Sequence, residues 1–274
     1  MSALQHAFRS RQLPAAEVSC EIRALSTKEE LIDSYRLRYD VYDTLGYIRR
    51  CNKSKLEIDE YDTLSIPFGA FDPRSGAMIG MVRLVTTEPQ PDYEHSIRCI
   101  LAELADEELT KQALGPWPHP LPSIISHEVQ QRLEAFNTER FVVKELSRGI
   151  VRPELRGSGV SRGLMEFGIA HAARLAPATL IGGCVPEHLP MYARYGYLQL
   201  PQTGLERFNN VGQIANSMVC RTDRLPQPTR AHVDALLHSM GSGASECTLD
   251  IGRDSRARYC LTPPRRTRRR TMEW

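Results

Sequence analysis

Between Val142 and Leu164 the chain reads VVKELSRGIVRPELRGSGVSRGL. A β-branched apolar run closes on Glu145 and Arg148. An arginine set among glycines follows, and helical periodicity begins at once, with Leu164, Phe167, Ile169 and Ala172 on one apolar face. Strand, glycine loop and helix in direct succession demand a sheet whose face is covered by helices. The flanking segments are of the same kind. Ser26 reads as the cap of a helix over STKEELIDSYRLRYDVYDTLG, with acids in its first turn, Leu31, Tyr35, Arg38 and Tyr42 at helical spacing, and Gly46 as its stop. IPFGAFD and AMIGMVRLVTT read as two strands around the turn PRSG. Ser126 caps a helix over SHEVQQRLEAFN, RFVVKELS and ATLIGGCV are strands, PEHLPMYARYG is a short helix stopped by Gly196, and QIANSMVCRT is a last strand.

This order predicts an α/β fold, a mixed sheet flanked by helices, in one domain over residues 21–225. Residues 1–20 read as a lead-in, disordered or loose. A stretch at about 88–125 reads as an insertion with one helix near Ile97 to Leu109, and Pro116, Pro118, Pro120 and Pro122 exclude a helix after it. Residues 226–274 read as a weakly structured extension with one helix from Thr229 to Met240 and a flexible basic tail.

Composition narrows the setting. Hydrophobic residues at 41% and charged residues at 25% are ordinary for a water-soluble chain. No run approaches the roughly 18 apolar residues of a membrane span, and the first residues hold no apolar secretion core, so the cytoplasm is the expected compartment. Seven scattered cysteines without a C-x-x-C pair fit reduced thiols, and the absence of H-E-x-x-H or another compact ligand cluster predicts no metal. From Gly252 onward eight arginines face Asp254 and Glu273, a net +6 that leaves −4 for the rest of a chain of net charge +2. Such a tail suits transient contact with an anionic membrane surface or plain solvation. No aromatic interleaving supports nucleic-acid recognition.

Two features carry chemistry. The first is Arg156, Gly157, Ser158, Gly159, Val160 and Ser161. Glycines let backbone N–H groups approach an anion, the following helix start adds its positive end, and Arg156 adds a charge, so a phosphate fits there. A plain strand-to-helix turn accounts for the spacing equally well. The second is charge inside apolar runs: Arg83 within GMVRLVTT and Glu145 within VVKELSR. A buried charge is costly unless paired, so neither is idle if it points inward. Upstream, Arg38 lies four residues before Tyr42 on one helix face, and LEIDEYD supplies Glu57, Asp59 and Asp62.

The loop resembles the acyl-donor loop of the GNAT acyltransferases. Their pattern [QR]-x-x-G-x-[GA] is met at Arg156 and Gly159, and Ser161 departs from it. Their later signature, a tyrosine four residues before Gly-aromatic, is matched by Tyr192 with Gly196 and Tyr197. The Arg38–Tyr42 helix, the acidic segment, Arg83 and the E-x-S-R strand end (Glu145, Ser147, Arg148) together resemble two GNAT-fold groups. These are the acyl-homoserine-lactone synthases of the LuxI type and the long-chain N-acyl amino acid synthases of the FeeM type. The former usually carry a tryptophan six residues after the helix aromatic. Here Tyr47 comes five after Tyr42 and no tryptophan is near, which favours the FeeM type.

The resemblance implies a GNAT-like splayed sheet. It implies a fatty acyl phosphopantetheine thioester as cosubstrate, carried by acyl carrier protein or coenzyme A, with no permanently bound cofactor. A small amine or amino acid would be the acceptor. Glu145 is then the candidate base, with an ion pair to Arg148 or Arg83 as its alternative role, and Tyr192 the candidate proton donor to the leaving thiolate. Arg83 belongs to the catalytic set. Arg38 or Arg148 would hold an acceptor carboxylate, Tyr42 and Glu57 join the substrate-binding set, and Asp59 and Asp62 would order the segment over the site or pair with Arg38 and Arg83. Ser147 lacks a histidine or a G-x-S-x-G context, so direct transfer is expected over an acyl-enzyme. A backbone N–H near Gly149 or Ile150 would meet the oxyanion. Arg152, Arg156, Arg162 and Arg174 offer a basic face to an acidic carrier protein. Lactone synthesis, ordinary N-acetyl transfer and non-catalytic carrier binding stand as the alternatives.

Overall fold

The computed structural model describes residues 18–48, 51–201, 206–207, 214–241, 246–251 and 257–260. In chain order the strands are β1 (Val18–Ala24), β2 (Ser65–Phe71), β3 (Met78–Val85), β4 (Val142–Val151), β5 (Ala178–Cys184), β6 (Leu198–Gln199), β7 (Glu206–Arg207), β8 (Ile214–Arg221), β9 (Glu246–Ile251) and β10 (Ala257–Cys260). The helices are α1 (Lys28–Thr44), α2 (Pro91–Leu104), α3 (Glu107–Ala113), α4 (His127–Phe136), α5 (Val160–Ala173), α6 (Leu189–Ala193) and α7 (Gln227–Gly241). One mixed sheet runs β10-β9-β1-β2-β3-β4-β5-β8-β6, with β7 also on β8. Every neighbouring pair is antiparallel except β4 and β5.

Strand alternation sends side chains to two helical layers. On one face α5 and α7 bury Leu164, Phe167, Val233 and Leu236 against Phe68, Val82, Leu146 and Leu180. α5 is buried on most of its circumference, which is why its sequence reads as nearly all apolar. On the other face α1 and α2 set Leu31, Tyr35, Ile97 and Ile100 against Met81 and Ile150, while α4 sets Val129 and Leu133 against Val85, Ile181 and Val219.

Several boundaries differ from expectation. The cap of α1 is Thr27, whose side chain accepts from Glu30 N–H at 3.2 Å, while Glu30 accepts from Ser26 N–H at 2.8 Å. Either hydroxyl of the Ser-Thr pair could have served, and only the reciprocal bond from Glu30 decides. The single helix expected near Ile97 to Leu109 is two, because Ala105 turns left-handed (φ +47°) and Asp106 caps α3 through Leu109 N–H. Strand β1 begins at Val18, within the expected lead-in; residues 1–17 lie outside the described residues. Residues 227–241 and 246–251 are not weakly structured. α7 covers α5, and β9 completes the edge of β1, burying Cys247 and Leu249 in alternation. Gly163 permits this closeness, since a Cβ there would collide with Leu249 and Ile22. The basic tail from Leu261 on lies outside the described residues.

Candidate active site

The site forms where β4 parts from β5. A registered row crosses the sheet through Val85, Glu145, Ile181 and Val219. Glu145 and Ile181 are the last pair between β4 and β5, although β4 continues to Val151 and β5 to Cys184, so the two strands splay beyond that row. β4 was expected to end near Arg148. It continues because a bulge absorbs the irregularity: Ser147 faces Arg83 and Ile150 faces Met81, leaving Arg148 and Gly149 together opposite Val82. Arg148 takes φ +55° there, an unfavourable conformation for a side chain with a Cβ, and the contacts made by its guanidinium hold it.

Those contacts join six charged groups. Arg38 on α1 grips Asp62 through two bonds of 2.7 and 3.1 Å and also meets Glu57. Arg83 on β3 grips Asp59 at 2.6 and 2.8 Å, reaches Asp62 at 2.8 Å and donates to Ser147 Oγ at 3.0 Å. Arg148 holds Glu57 at 2.9 Å and Asp59 at 2.6 Å. Arg38 and Arg83 are fully buried, and Asp59 and Asp62 nearly so. Three guanidiniums thus balance three carboxylates in a dry setting, with each arginine shared between at least two acids. Burial alone would raise the carboxyl of Asp59, but the adjacent Arg83 and Arg148 overcome it and hold that group well below the usual carboxylate range. The aromatic rings of α1 line the cluster: Tyr35 lies 5.4 Å from the Arg38 guanidinium and Tyr42 5.6 Å from that of Arg148. Arg38, Tyr42, Glu57, Asp59, Asp62, Arg83, Ser147 and Arg148 are therefore brought together. A solvated acidic loop is not what forms. Nor is Arg38 or Arg148 open to an acceptor carboxylate, since both already hold carboxylates of the chain itself.

Glu145 stands apart from the ion pairs. It is 2% exposed, and both its oxygens are held by one residue: Ser123 N–H donates to Oε2 and Ser123 Oγ to Oε1, each at 2.8 Å. The alternative role of an ion pair with Arg148 or Arg83 gives way to these bonds. Burial pushes the Glu145 carboxyl up to about 7, against the opposing pull of Ser123 and of the more distant Arg83 and Arg148. Ser123 was not recognised in the sequence. It belongs to the proline-rich stretch, whose loop is pinned elsewhere by Trp117 Nε1 to the Glu60 carbonyl (2.7 Å) and by Tyr61 Oη to the His119 carbonyl (3.0 Å). No local pattern marks it; only the folded loop aims it at Glu145. Beside it a half-open apolar hollow of about 180 Å³ is lined by Leu121, Ile124, Leu133 and Val143, next to the splay but not within it.

The remaining candidates lie toward the α5 face. Gly157 and Gly159 take φ +79° and +93°, conformations that favour glycine, and α5 starts at Val160 after a glycine cap that offers no side chain, with Ser158 Oγ accepting a long bond of 3.5 Å from Val160 N–H. Arg156, Gly157 and Ser161 are exposed around that start, while Val160 is buried beneath it and Ser158 is half-buried. Tyr192 on α6 packs edge-on to Tyr197 at 5.6 Å, and burial raises its phenol above the ordinary value, so it stays protonated.

A mixed sheet splayed at its one parallel pair, a bulged strand at the opening and a glycine loop at the start of the covering helix define the GNAT-like fold of acyl-CoA N-acyltransferases. No family model matches the sequence, and no curated protein matches it. Solved structures do. The chain is similar to FeeM, an N-acyl amino acid synthase from uncultured soil microbes, with a TM-score of 0.53 at 15% identity over 79% of this chain and 96% of that one. TofI in a ternary complex with an inhibitor and MTA gives 0.47 at 19% identity over 80% and 99%, and the AHL synthase LasI 0.45 at 16% over 78% and 95%. At these identities the likeness is one of fold.

Proposed function

We propose that this protein is an acyltransferase that moves a fatty acyl group from a phosphopantetheine thioester to the amine of an amino acid or similar small amine, giving an N-acyl amino acid. The observation that carries the reading is Glu145: a buried carboxyl raised to about 7, at the row where β4 and β5 part. An acceptor amine is an ammonium at neutral pH and must lose a proton before it attacks. A carboxylate with that affinity takes the proton without holding it too tightly. The nitrogen then adds to the thioester carbonyl carbon, and the oxygen that gains charge is met by backbone N–H at the Gly149–Ile150 side of the bulge. Collapse breaks the C–S bond. The departing thiolate takes a proton from Tyr192, the former amine nitrogen returns its one surplus proton to the Tyr192 oxygen, and the neutral amide is released while Glu145 gives its proton to solvent. Ser147 donates no attack in this scheme, since its hydroxyl is engaged by Arg83.

The neutral ion cluster gives this chemistry a rigid wall. It does not bind the donor. The donor's phosphate belongs at Arg156 to Ser161, a reading supported by the glycine-capped start of α5 and by the exposed Arg156 just before it. Acyl carrier protein, an acidic partner, would meet Arg152, Arg156 and Arg174, all exposed or partly so. That donor and the reduced thiols fit the cytoplasm, and the basic tail fits transient contact with an anionic membrane surface. Among the described residues no helix is long and apolar enough to cross a membrane.

Incubation with long-chain acyl carrier protein and pooled amino acids, read by mass spectrometry, tests the proposal. Open N-acyl amides are the expected product. Lactones would instead identify an acyl-homoserine-lactone synthase, and transfer from acetyl-coenzyme A alone an ordinary N-acetyltransferase.

A further inference from the structure

β5 carries adjacent glycines, Gly182 and Gly183, just past its last pairing with β4. A buried hydroxyl without a partner lies on each side of them. Tyr197, 3% exposed, sits over Gly182 on the α5 face: a Cβ on Gly182 would lie 3.8 Å from its ring and 3.5 Å from the Leu146 carbonyl on β4. Ser217, 1% exposed, pairs in register with Gly183. Alternation along β8 places it on the opposite face, with Val219 and the row that holds Glu145. Tyr197 Oη and Ser217 Oγ are the buried side-chain oxygens left without a hydrogen bond among the described residues. Native interiors seldom leave such groups unpaired, and each exception asks for a reason.

We propose that these hydroxyls are substrate contacts, one on each side of the transfer: Tyr197 Oη donates to an oxygen of the acyl thioester, and Ser217 Oγ hydrogen-bonds a polar group of the amine-bearing acceptor. The inference rests on the acyl-transfer reading above. The assignment follows from the faces. Tyr197 shares its face with α5, whose first turn carries the phosphate loop, and with the Tyr192 ring. Ser217 shares its face with Glu145, where Arg38, Arg83 and Arg148 are already neutralised and the carboxylate is held by Ser123. A neutral hydroxyl is what that face leaves open to an acceptor. Gly183, exposed at the surface, keeps the strand bare beside it.

The test uses acyl carrier protein alkylated at its phosphopantetheine thiol with a 2-oxododecyl group, a thioether that keeps a carbonyl but cannot transfer, and with a dodecyl group that lacks it. Tyr197→Phe is expected to weaken the oxo probe by roughly 5- to 30-fold, leave the dodecyl probe unchanged and leave the apparent KM for amine unchanged. Ser217→Ala is expected to spare both probes and to raise, by a similar factor, the apparent KM for an equimolar pool of the twenty protein amino acids with dodecanoyl carrier protein. Both variants should melt, without ligand, at or above the wild-type temperature, because each loses an unpaired buried oxygen. Variants that behave as wild type toward every ligand would overturn the proposal. So would variants that melt lower and lose donor and amine together, which would make the hydroxyls part of the folded frame. A wild type that binds neither probe and acylates no amine removes the acyl-transfer reading itself.

Discussion

A carboxyl buried as deeply as that of Glu145 favours its protonated form, and this has consequences for both rate and stability. In its proposed role as the base, it works only when ionised, so kcat/KM should rise through an acidic limb near pH 7. Glu145→Gln should lower kcat/KM at pH 8 by about 10²- to 10⁴-fold and abolish that limb; full activity with an unchanged profile would remove Glu145 as the base. The stability effect has the opposite sense. The folded value lies above the ordinary carboxyl value, so the contribution of Glu145 is complete below the unfolded value and is lost as the pH rises toward 7. At pH 8 the buried anion costs about 3 kcal/mol, an order-of-magnitude figure from the size of that displacement. Glu145→Gln should therefore melt lower than wild type, or equal to it, at pH 5 and gain on it by several degrees at pH 8, since the Ser123 hydroxyl can reverse to accept from the amide. Ser123 sets the position of that limb. Ser123→Ala removes one donor to the carboxylate and should move the limb upward by about one pH unit, a shift read from the pH profile of kcat/KM.

At the scale of elements, the acidic segment before β2 is held down by arginines from α1, β3 and β4, and no one of those elements could hold it alone. Removing one guanidinium leaves buried carboxylates uncompensated. Arg83→Met should cost about 3–5 kcal/mol in urea denaturation, and Arg83→Lys should recover only part, because an ammonium cannot grip Asp59 through two parallel bonds. This cluster was legible in the sequence because charge inside an apolar strand is conspicuous, and because Arg38, Glu57, Asp59 and Asp62 keep informative spacing. The sequence could not show that the guanidiniums would be used up by the chain's own acids. Pairing across Glu57, Asp59 and Asp62 is settled only when α1, β3 and the bulge of β4 converge. Ser123 was hidden for the same reason: its role depends on a loop path that prolines permit but do not specify. The left-handed Arg148 was equally hidden, since a bulge adds one residue to a strand without changing its apolar composition.

Across the whole molecule, the splayed centre of the sheet depends on an edge far from it. α5 carries the glycine loop at its start and is clamped between the sheet and α7, and β9 locks against β1 with Leu249 seated over Gly163. The sequence carries the helix of α7, but β9 escapes it, because that strand is six residues long, with just Cys247 and Leu249 alternating inward, and because a highly basic tail follows it. A short alternation next to a charge run looks like solvated chain until the open edge of β1 is known to need a partner. The tail and the edge should therefore separate on truncation. Deleting residues 261–274 should leave the melting temperature within about one degree of wild type, surface changes being worth about 0.5 kcal/mol or less. Deleting from Pro226 strips Val233, Leu236, Met240, Cys247 and Leu249 from the core and bares the edge of β1. At about 1.5–3 kcal/mol for each large apolar side chain, that loss rivals the whole stability of an ordinary domain, so the shortened chain should be insoluble or unfolded by circular dichroism. Gly163→Ala gives the finer test of the same contact. Its added methyl presses on Leu249 and Ile22 and should cost about 1–3 kcal/mol in the full-length chain, whereas a soluble, folded deletion from Pro226 that tolerates Gly163→Ala would show that α5 and its glycine loop stand without the C-terminal edge.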